Sequence, residues 1–150
     1  MDKILDTVLQ MLEGSQVTLE IFCVTLLLAL PLGMLAALGR LSGIRPLSRL
    51  IELYIWLMRG TPLMLQLLFV YFALPMVGVR LPDLAAALLA FTLNYAAYFA
   101  EIFRSGIQSI DKGQMEAGRS LGMTWLQTMR YIIVPQAFKR VIPPLGNEFI

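Results

Sequence analysis

The chain has 150 residues, of which 58% are hydrophobic and 15% charged, and its formal net charge is +2. This composition is too apolar for an ordinary soluble domain and predicts an integral membrane protein. The single cysteine, Cys23, lies in an apolar run and excludes an internal disulfide or a cysteine-based metal site. Nucleic-acid binding is disfavoured, because no basic patch is interleaved with aromatic residues.

The first forty residues predict an interfacial helix and then a membrane span. Residues 1–14 place their apolar side chains on one helical face, which is typical of a helix lying in the membrane interface. Residues 17–39 are long enough to cross about 30 Å of hydrocarbon, and Pro31 predicts a kink within them. Arg40, Arg45 and Arg49 follow, so the positive-inside rule assigns this end to the cytoplasm.

Residues 46–103 predict two further spans. Residues 46–58 carry an apolar stripe at helical spacing, which indicates a helix along the inner membrane face or a slanted entry into the next span. Thr61 and Pro62 are typical of a helix start, and the second span is predicted over 62–79. A short external turn at Arg80 and Asp83 leads to a third span over 84–103. The fold expected is an all-α polytopic bundle.

The distribution of basic residues predicts the orientation. With three spans, ten basic residues face the cytoplasm, and only Lys3 and Arg80 lie outside. We therefore expect the amino terminus outside. The ten are Arg40, Arg45, Arg49, Arg59, Arg104, Lys112, Arg119, Arg130, Lys139 and Arg140.

A polar stripe runs along the third predicted span. Its members, Asn94, Tyr98, Glu101 and Ser105, follow helical spacing. A lipid-facing amide at mid-span is costly, so the stripe is expected to face the bundle interior or a water-filled path. Two interpretations stay open for it and for Gln66 of the second span. They either join or gate the helices, with Glu101 paired to Arg104 or Ser105, or they line the path of a polar solute.

The most polar stretch, residues 109–140, predicts two short cytoplasmic helices that meet at a glycine. Asp111 with Gln114, and Thr124 with Gln127, have the spacing of capping boxes. Gly122 suits the left-handed position after the first helix, and Pro135 is expected to end the second. Such a pair is either an amphipathic surface on the bilayer or a docking surface for a partner, and the small residues favour docking.

The spacing within this stretch carries a resemblance to a known family. Glu116, Ala117 and Gly118 are followed by Gly122, and then by Ile132 and Pro135. This resembles the EAA loop of ABC-importer membrane subunits, with Gly118 in place of the second alanine and Val134 in place of a leucine. RGTP at 59–62, AEIFR at 100–104, KGQ at 112–114, PQA at 135–137 and PPLGN at 143–147 are similar to the polar amino acid branch of these permeases.

The resemblance implies a permease subunit of an ATP-driven importer in the bacterial inner membrane. Two such subunits would form the path, two ATPase subunits would bind their EAA loops, and an external solute-binding protein would deliver a polar amino acid. Coupling to the ATPase is implied for Glu116, Ala117, Gly118, Gly122, Ile132 and Pro135. We expect no cofactor on this subunit, with ATP bound by the ATPase partner. Family members usually carry five spans, so the chain is expected to be a fragment or an early-terminated product.

Two alternative functions remain at this stage. A passive channel or secondary transporter would need coupling charges in the membrane interior, where Glu101 is the deepest acid and lies near the inner edge. A membrane assembly subunit without transport activity leaves the capped helices and the polar stripe unexplained. No histidine, Walker-type glycine loop or acid pair at metal spacing is present, so the sequence predicts that any chemistry belongs to another subunit.

Overall fold

Residues 2–149, with the side chains of 4–149, are described by a computed structural model, and all of its regular elements are helices. The helices are α1 (Asp2–Leu41), α2 (Arg45–Gly60), α3 (Leu63–Met76), α4 (Asp83–Gln108), α5 (Lys112–Ser120) and α6 (residues 125–148). Two of them contain a π turn, Phe69–Ala73 in α3 and Met129–Ile133 in α6. The all-α fold predicted from the sequence is confirmed.

The amino-terminal region is one helix and not two. The interfacial helix expected over residues 1–14 continues into the predicted span without a break, and α1 also runs through Pro31. The reason lies in the hydroxyls near the expected boundary. Ser15 and Thr18 donate to the carbonyls of Met11 (2.7 Å) and Gly14 (2.9 Å), so they join the helix and do not cap a new one.

The segment between the two long helices is bent. α2 and α3 meet at 106°, and we call the junction at Gly60, Thr61 and Pro62 the elbow. α3 ends at Met76, short of the predicted residue 79, and rises only about 21 Å. In the described part of the chain, α1 and α4 are long and apolar enough to cross a membrane, and the bent pair makes a third crossing if it counts as one span.

A proline follows each π turn, with one residue between the turn and the proline. Pro75 and Pro135 sit in the first turn of the α-helical segments that follow, Leu74–Met76 and Val134–Glu148. A proline lacks the N–H that an α-helix needs, and the wider turn places it where that donor is not required. The prediction that Pro135 ends the second loop helix is therefore wrong, because α6 continues through it to Glu148.

Small residues bring α1 and α4 into close contact. A Cβ placed on Gly33 would lie 2.6 Å from the Cβ of Phe99, and Ala29 and Ala37, one turn to either side of it, are fully buried. Such close backbone approach is typical of membrane helix pairs. The two helices run parallel, since Thr18 to Leu26 lie near Phe91 and Tyr95, and Gly33 lies near Ala96 and Ala100.

The chain returns between these parallel helices through α3, which is antiparallel to α4. Tyr71 near the end of α3 donates to Asp83 at the start of α4 (3.1 Å), and Gln66 near the start of α3 meets Asn94. α6 also packs on α4, where Gly106 directly faces Val141. The residues after 140 therefore lie alongside the bundle.

Candidate functional site

The stretch predicted as a loop of two helices consists of α5 and the start of α6. The carboxylate of Asp111 accepts from the backbone N–H of Gly113 (2.6 Å), so Asp111 caps α5 as predicted. The capping box is incomplete there, because the Gln114 side chain instead accepts from Gln136 (3.2 Å). At α6 the predicted box is complete: Gln127 N–H donates to Thr124 (3.3 Å), and Thr124 N–H donates to the Gln127 side chain (2.8 Å).

Gly122 makes the turn between the two helices. Its φ of +74° lies in the left-handed region, as the sequence predicted. The N–H of Met123 donates to Gly118 O (3.0 Å) and the N–H of Gly122 to Arg119 O (2.9 Å), which is the hydrogen-bond pattern of a Schellman motif. The direction of α6 relative to α5 is thus fixed by backbone hydrogen bonds.

Gly118 lies where the two helices touch. A Cβ at this position would be 2.6 Å from Thr128 Oγ1 and 2.7 Å from its Cγ2, and Thr128 is fully buried. The glycine that replaces the second alanine of the EAA pattern is therefore matched to a threonine in α6. Its small size serves packing within the loop, a contact that the sequence analysis missed.

A small apolar core attaches the loop to α4. Ile110, Met129, Ile133 and Ala137 are buried together, with Ile132 packed against them. The guanidinium of Arg140 also donates to the carbonyl of Ser109, just after α4 ends. Of the six residues predicted for coupling, Gly118 and Ile132 thus pack within the loop, whereas Glu116, Ala117, Gly122 and Pro135 are exposed.

Large apolar side chains accompany these exposed residues. Leu121 is 78% exposed, Leu126 68%, Tyr131 65% and Trp125 56%. Leu121, Gly122 and Tyr131 line a shallow depression of about 250 Å³. Exposed apolar side chains on so polar a segment mark a contact surface. We call the exposed set Glu116, Ala117, Leu121, Trp125 and Leu126 the loop face. Its large apolar members, Leu121, Trp125 and Leu126, were not singled out from the sequence.

The other predicted residues meet at the elbow. The side-chain amide of Gln66 donates to Met58 O (2.8 Å) and to Thr61 Oγ1 (2.7 Å) and O (3.2 Å). Asn94, which is 5% exposed, donates to Met58 O (3.2 Å) and to Gln66 Oε1 (3.0 Å). Gln66 thus makes hydrogen bonds between helices, as expected if it joins them. Together the two amides satisfy carbonyls at the end of α2.

The rest of the polar stripe continues from the elbow towards the inner end of α4. The Arg59 guanidinium lies over the Tyr98 ring, 5.1 Å from its centre. Glu101 pairs with Arg104, whose Nε donates to Glu101 Oε2 at 3.0 Å. Ser105 is exposed and donates to the carbonyl of Ile102. The structure brings Gln66 and Asn94 together, and leaves Tyr98 and Glu101 with arginine partners.

An apolar cavity of about 400 Å³ adjoins the elbow and is lined by residues of α2, α3 and α4, Gln66 among them. No group of three or more acids, cysteines or histidines that could hold a metal ion occurs among the described side chains, residues 4–149. The predicted residues thus form hydrogen bonds between helices at the elbow and an exposed contact surface on the loop.

Comparison with known proteins shows that this chain is similar to components of transport systems. A family profile described as "Binding-protein-dependent transport system inner membrane component" matches residues 29–150. The arginine transport system permease protein ArtQ of Bacillus subtilis is 44% identical over 93% of this chain and 64% of its own length. The glutamine transport system permease protein GlnP of Escherichia coli is 40% identical over 93% of this chain and 65% of its own length.

Two further matches agree with these. The L-cystine transport system permease protein TcyB of Bacillus subtilis is 40% identical over 91% of this chain and 58% of its own length. A crystal structure of an amino acid ABC transporter with histidines matches with a TM-score of 0.82 and 41% identity, over 94% of this chain and 69% of that one. The chain spans less than two thirds of the length of these three curated relatives.

Proposed function

The chain belongs to the family of binding-protein-dependent transport system inner membrane components, and we propose that it acts as a permease subunit of an ATP-driven importer of polar amino acids. Relatives named for arginine, glutamine and cystine transport support this substrate class. In this proposal the chain helps to form the translocation path, and residues 109–140 dock the ATPase subunit.

The observation that carries the proposal is the construction of the loop. Its inner side is buried by contacts within the chain: Gly118 packs against Thr128, and Met129 lies in the small apolar core. Its outer side presents the loop face, with the Glu116 carboxylate beside exposed apolar residues. A surface that combines large exposed apolar side chains with a carboxylate is suited to a protein partner. Because α4 leads directly into it, a push on the platform would reach the membrane bundle.

The partners follow from the same proposal. A pair of ATPase subunits would bind two loops, from this subunit and a second permease subunit. A solute-binding protein outside the membrane would deliver the amino acid. ATP would be hydrolysed on the ATPase partners, and this subunit would carry no catalytic group.

We propose that the amino terminus lies outside and the loop in the cytoplasm, as the distribution of Lys and Arg indicates. The test uses single cysteines at positions 83 and 112, in a background where the exposed Cys23 is replaced by serine. In intact cells an impermeant thiol reagent should label position 83 and spare position 112. Labelling of 112 with protection of 83 would reverse the orientation.

The docking proposal is tested by replacing Glu116. Glu116→Lys reverses the charge of an exposed side chain without changing the packing of the loop. In a detergent pull-down this variant should retain at least tenfold less ATPase subunit, on the order of the loss of one interface charge pair. Glu13→Lys, at an exposed position on α1, is the matched control and should retain the ATPase fully. Equal retention by both variants would reject docking through this face.

A further inference from the structure

The segment that follows the first span is rich in arginine. Residues 40–60 contain four arginines and one acid, Glu52. Three residues separate α1 from α2, and Gly39 of α1 packs directly against Ile51 of α2. α3 runs antiparallel to α4, which is long enough to span a membrane, and α2 meets α3 at 106°. α2 therefore lies across the spans, close to the membrane plane.

The flanks of α2 have different surroundings. On one flank Ile55 is buried against α4. On the next, Leu50, Leu53 and Leu57 are 67%, 59% and 48% exposed. Leu57 and Met58 also line the apolar cavity at the elbow, whose other walls belong to α3 and α4. The side of α2 that carries Leu57 therefore faces the membrane interior.

The remaining flank of α2 carries unpaired positive charge. Arg45 and Arg49 lie one helical turn apart, on the side turned away from the cavity. Both side chains are exposed, and neither forms an ion pair or a hydrogen bond within residues 4–149. The acid of this flank, Glu52, is already paired with Arg40 (2.9 Å). Trp56 lies on the same flank and is 70% exposed, and tryptophan is enriched where a membrane meets water.

Guanidinium groups bind phosphate oxygens through pairs of parallel hydrogen bonds, and exposed leucines beside them suit an acyl chain. We propose that α2 binds an anionic phospholipid, with Arg45 and Arg49 on its phosphate and one acyl chain passing Leu53 towards Trp56. The inference rests on the proposed function only for the leaflet: the proposed orientation puts this lipid on the cytoplasmic side, where a negative surface potential attracts basic segments.

Trp56 is a built-in reporter for such a lipid. Trp125→Phe leaves Trp56 as the sole tryptophan of the chain. Trp56 follows Arg49 by about 10 Å along the helix, so a bromine half-way along the acyl chain would reach its ring and quench its fluorescence. The purified Trp125→Phe chain is reconstituted in phosphatidylcholine vesicles with increasing fractions of brominated phosphatidylglycerol or brominated phosphatidylcholine. The quenching curves should give a preference for phosphatidylglycerol of about 25-fold, about fivefold for each arginine.

Substitutions of the two arginines test the proposed contact. Arg45→Gln and Arg49→Gln should each lower the preference about fivefold, and the double variant should abolish it. Because both side chains are exposed and unpaired, these changes remove charge and no internal contact. Lysine at both positions keeps the charge and should keep most of the preference. Arg80→Gln, an exposed arginine between α3 and α4, is the matched control and should keep all of it.

Equal quenching by the two brominated lipids, or an undiminished preference in the double glutamine variant, overturns the inference and leaves the arginines to a protein or a soluble anion. Inorganic phosphate, added at constant ionic strength, separates the lipid from a free anion. It should leave the preference unchanged, whereas loss of the preference would overturn the lipid as the ligand. These results do not depend on the proposed function, because both leaflets contain the lipid and no partner subunit is present. Orientation and ATPase docking are tested separately by cysteine labelling and the pull-down.

Discussion

Two helices of this chain end abruptly, α2 at the elbow and α5 at Gly122, and they satisfy their last carbonyls in different ways. At Gly122 the donors are backbone N–H groups of the next residues, Gly122 and Met123. At the elbow, donors to the carbonyl of Met58 come from the side chains of Gln66 and Asn94. The last carbonyls of a helix that ends in water can accept from the next residues of the same chain. Those of a helix that ends among apolar spans accept instead from side chains of other helices.

Because of this difference, substitutions in the loop and at the elbow should affect different parts of the molecule. Most contacts that stabilise the loop lie within residues 107–140, so a change there should disturb the loop more than it disturbs α1, α2 and α3. The elbow joins α2, α3 and α4 through one shared network, and the Tyr54 hydroxyl adds a further bond to the carbonyl of Leu93. A change in that network should be felt by all three helices.

The largest effect is expected where the loop is tightest. Gly118→Ala places a methyl group within 2.6–2.7 Å of two Thr128 atoms, and overpacking of this kind costs about 1–3 kcal/mol. Because the strain lies between α5 and α6, retention of the ATPase in a pull-down should fall while membrane insertion stays normal. Adding Thr128→Ala removes both close atoms and leaves the Thr128 Cβ at 3.2 Å, so the double variant should recover most of the loss.

Gly14→Ala is the control for this pair, since nothing lies within 4 Å of a Cβ at that position. If Gly118→Ala behaves like Gly14→Ala, the packing of α5 on Thr128 does not determine the loop geometry. If the double variant is as weak as the single one, Gly118 acts through the partner and not through Thr128.

The next effect tests the elbow network. Asn94→Leu removes one donor to Met58 O and the donor to Gln66, and Gln66→Leu removes the other donor to Met58 O. Each should lower the free energy of unfolding, measured in mixed micelles, by about 1–2 kcal/mol. Since both act on one network, the double variant should lose less than the sum of the two. Uptake by the complete importer should fall in both single variants.

Uptake also separates the two interpretations of the polar stripe. If Asn94 holds the elbow, Asn94→Leu and Gln66→Leu should reduce the uptake of different amino acids in the same proportion. A loss confined to one substrate would instead place these amides in the path. Strict additivity of the stability losses would mean that the two amides do not form one network.

Sequence reasoning succeeded where the determinants are neighbours along the chain. Thr124 with Gln127, and Gly122 after α5, are local patterns whose geometry follows from two or three residues. The hydrophobic runs of α1 and α4 were equally visible, because membrane thickness fixes the length a span needs.

It failed where the determinants are distant in sequence. Gly118 is explained by Thr128 and Gln66 by Asn94, and no local pattern links either pair. The course of α6 through Pro135 depends on a π turn, which has no sequence rule of comparable strength. The continuous helix at Gly14 was missed for a different reason. The hydroxyls of Ser15 and Thr18 can either cap a new helix or donate to carbonyls of the preceding turn, and the sequence does not distinguish the two.

The smallest effect is expected for substitutions of Gly122, which test how the loop ends α5. Gly122 has a φ of +74°, and nothing lies within 4 Å of a Cβ placed on it, so a substitution there costs backbone strain without any clash. Gly122→Ala should destabilise the loop by about 1 kcal/mol, and Gly122→Asn by less, because asparagine adopts the left-handed conformation more readily. ATPase retention should therefore be highest with glycine at position 122, lower with asparagine and lowest with alanine.

Gly60 at the elbow is the matched control. A Cβ placed on it also meets open space, but Gly60 ends α2 without a positive φ, so Gly60→Ala should cause no comparable strain. Equal losses for alanine and asparagine at 122 would indicate that a partner needs bare backbone there, and that docking, not the turn, selects the glycine.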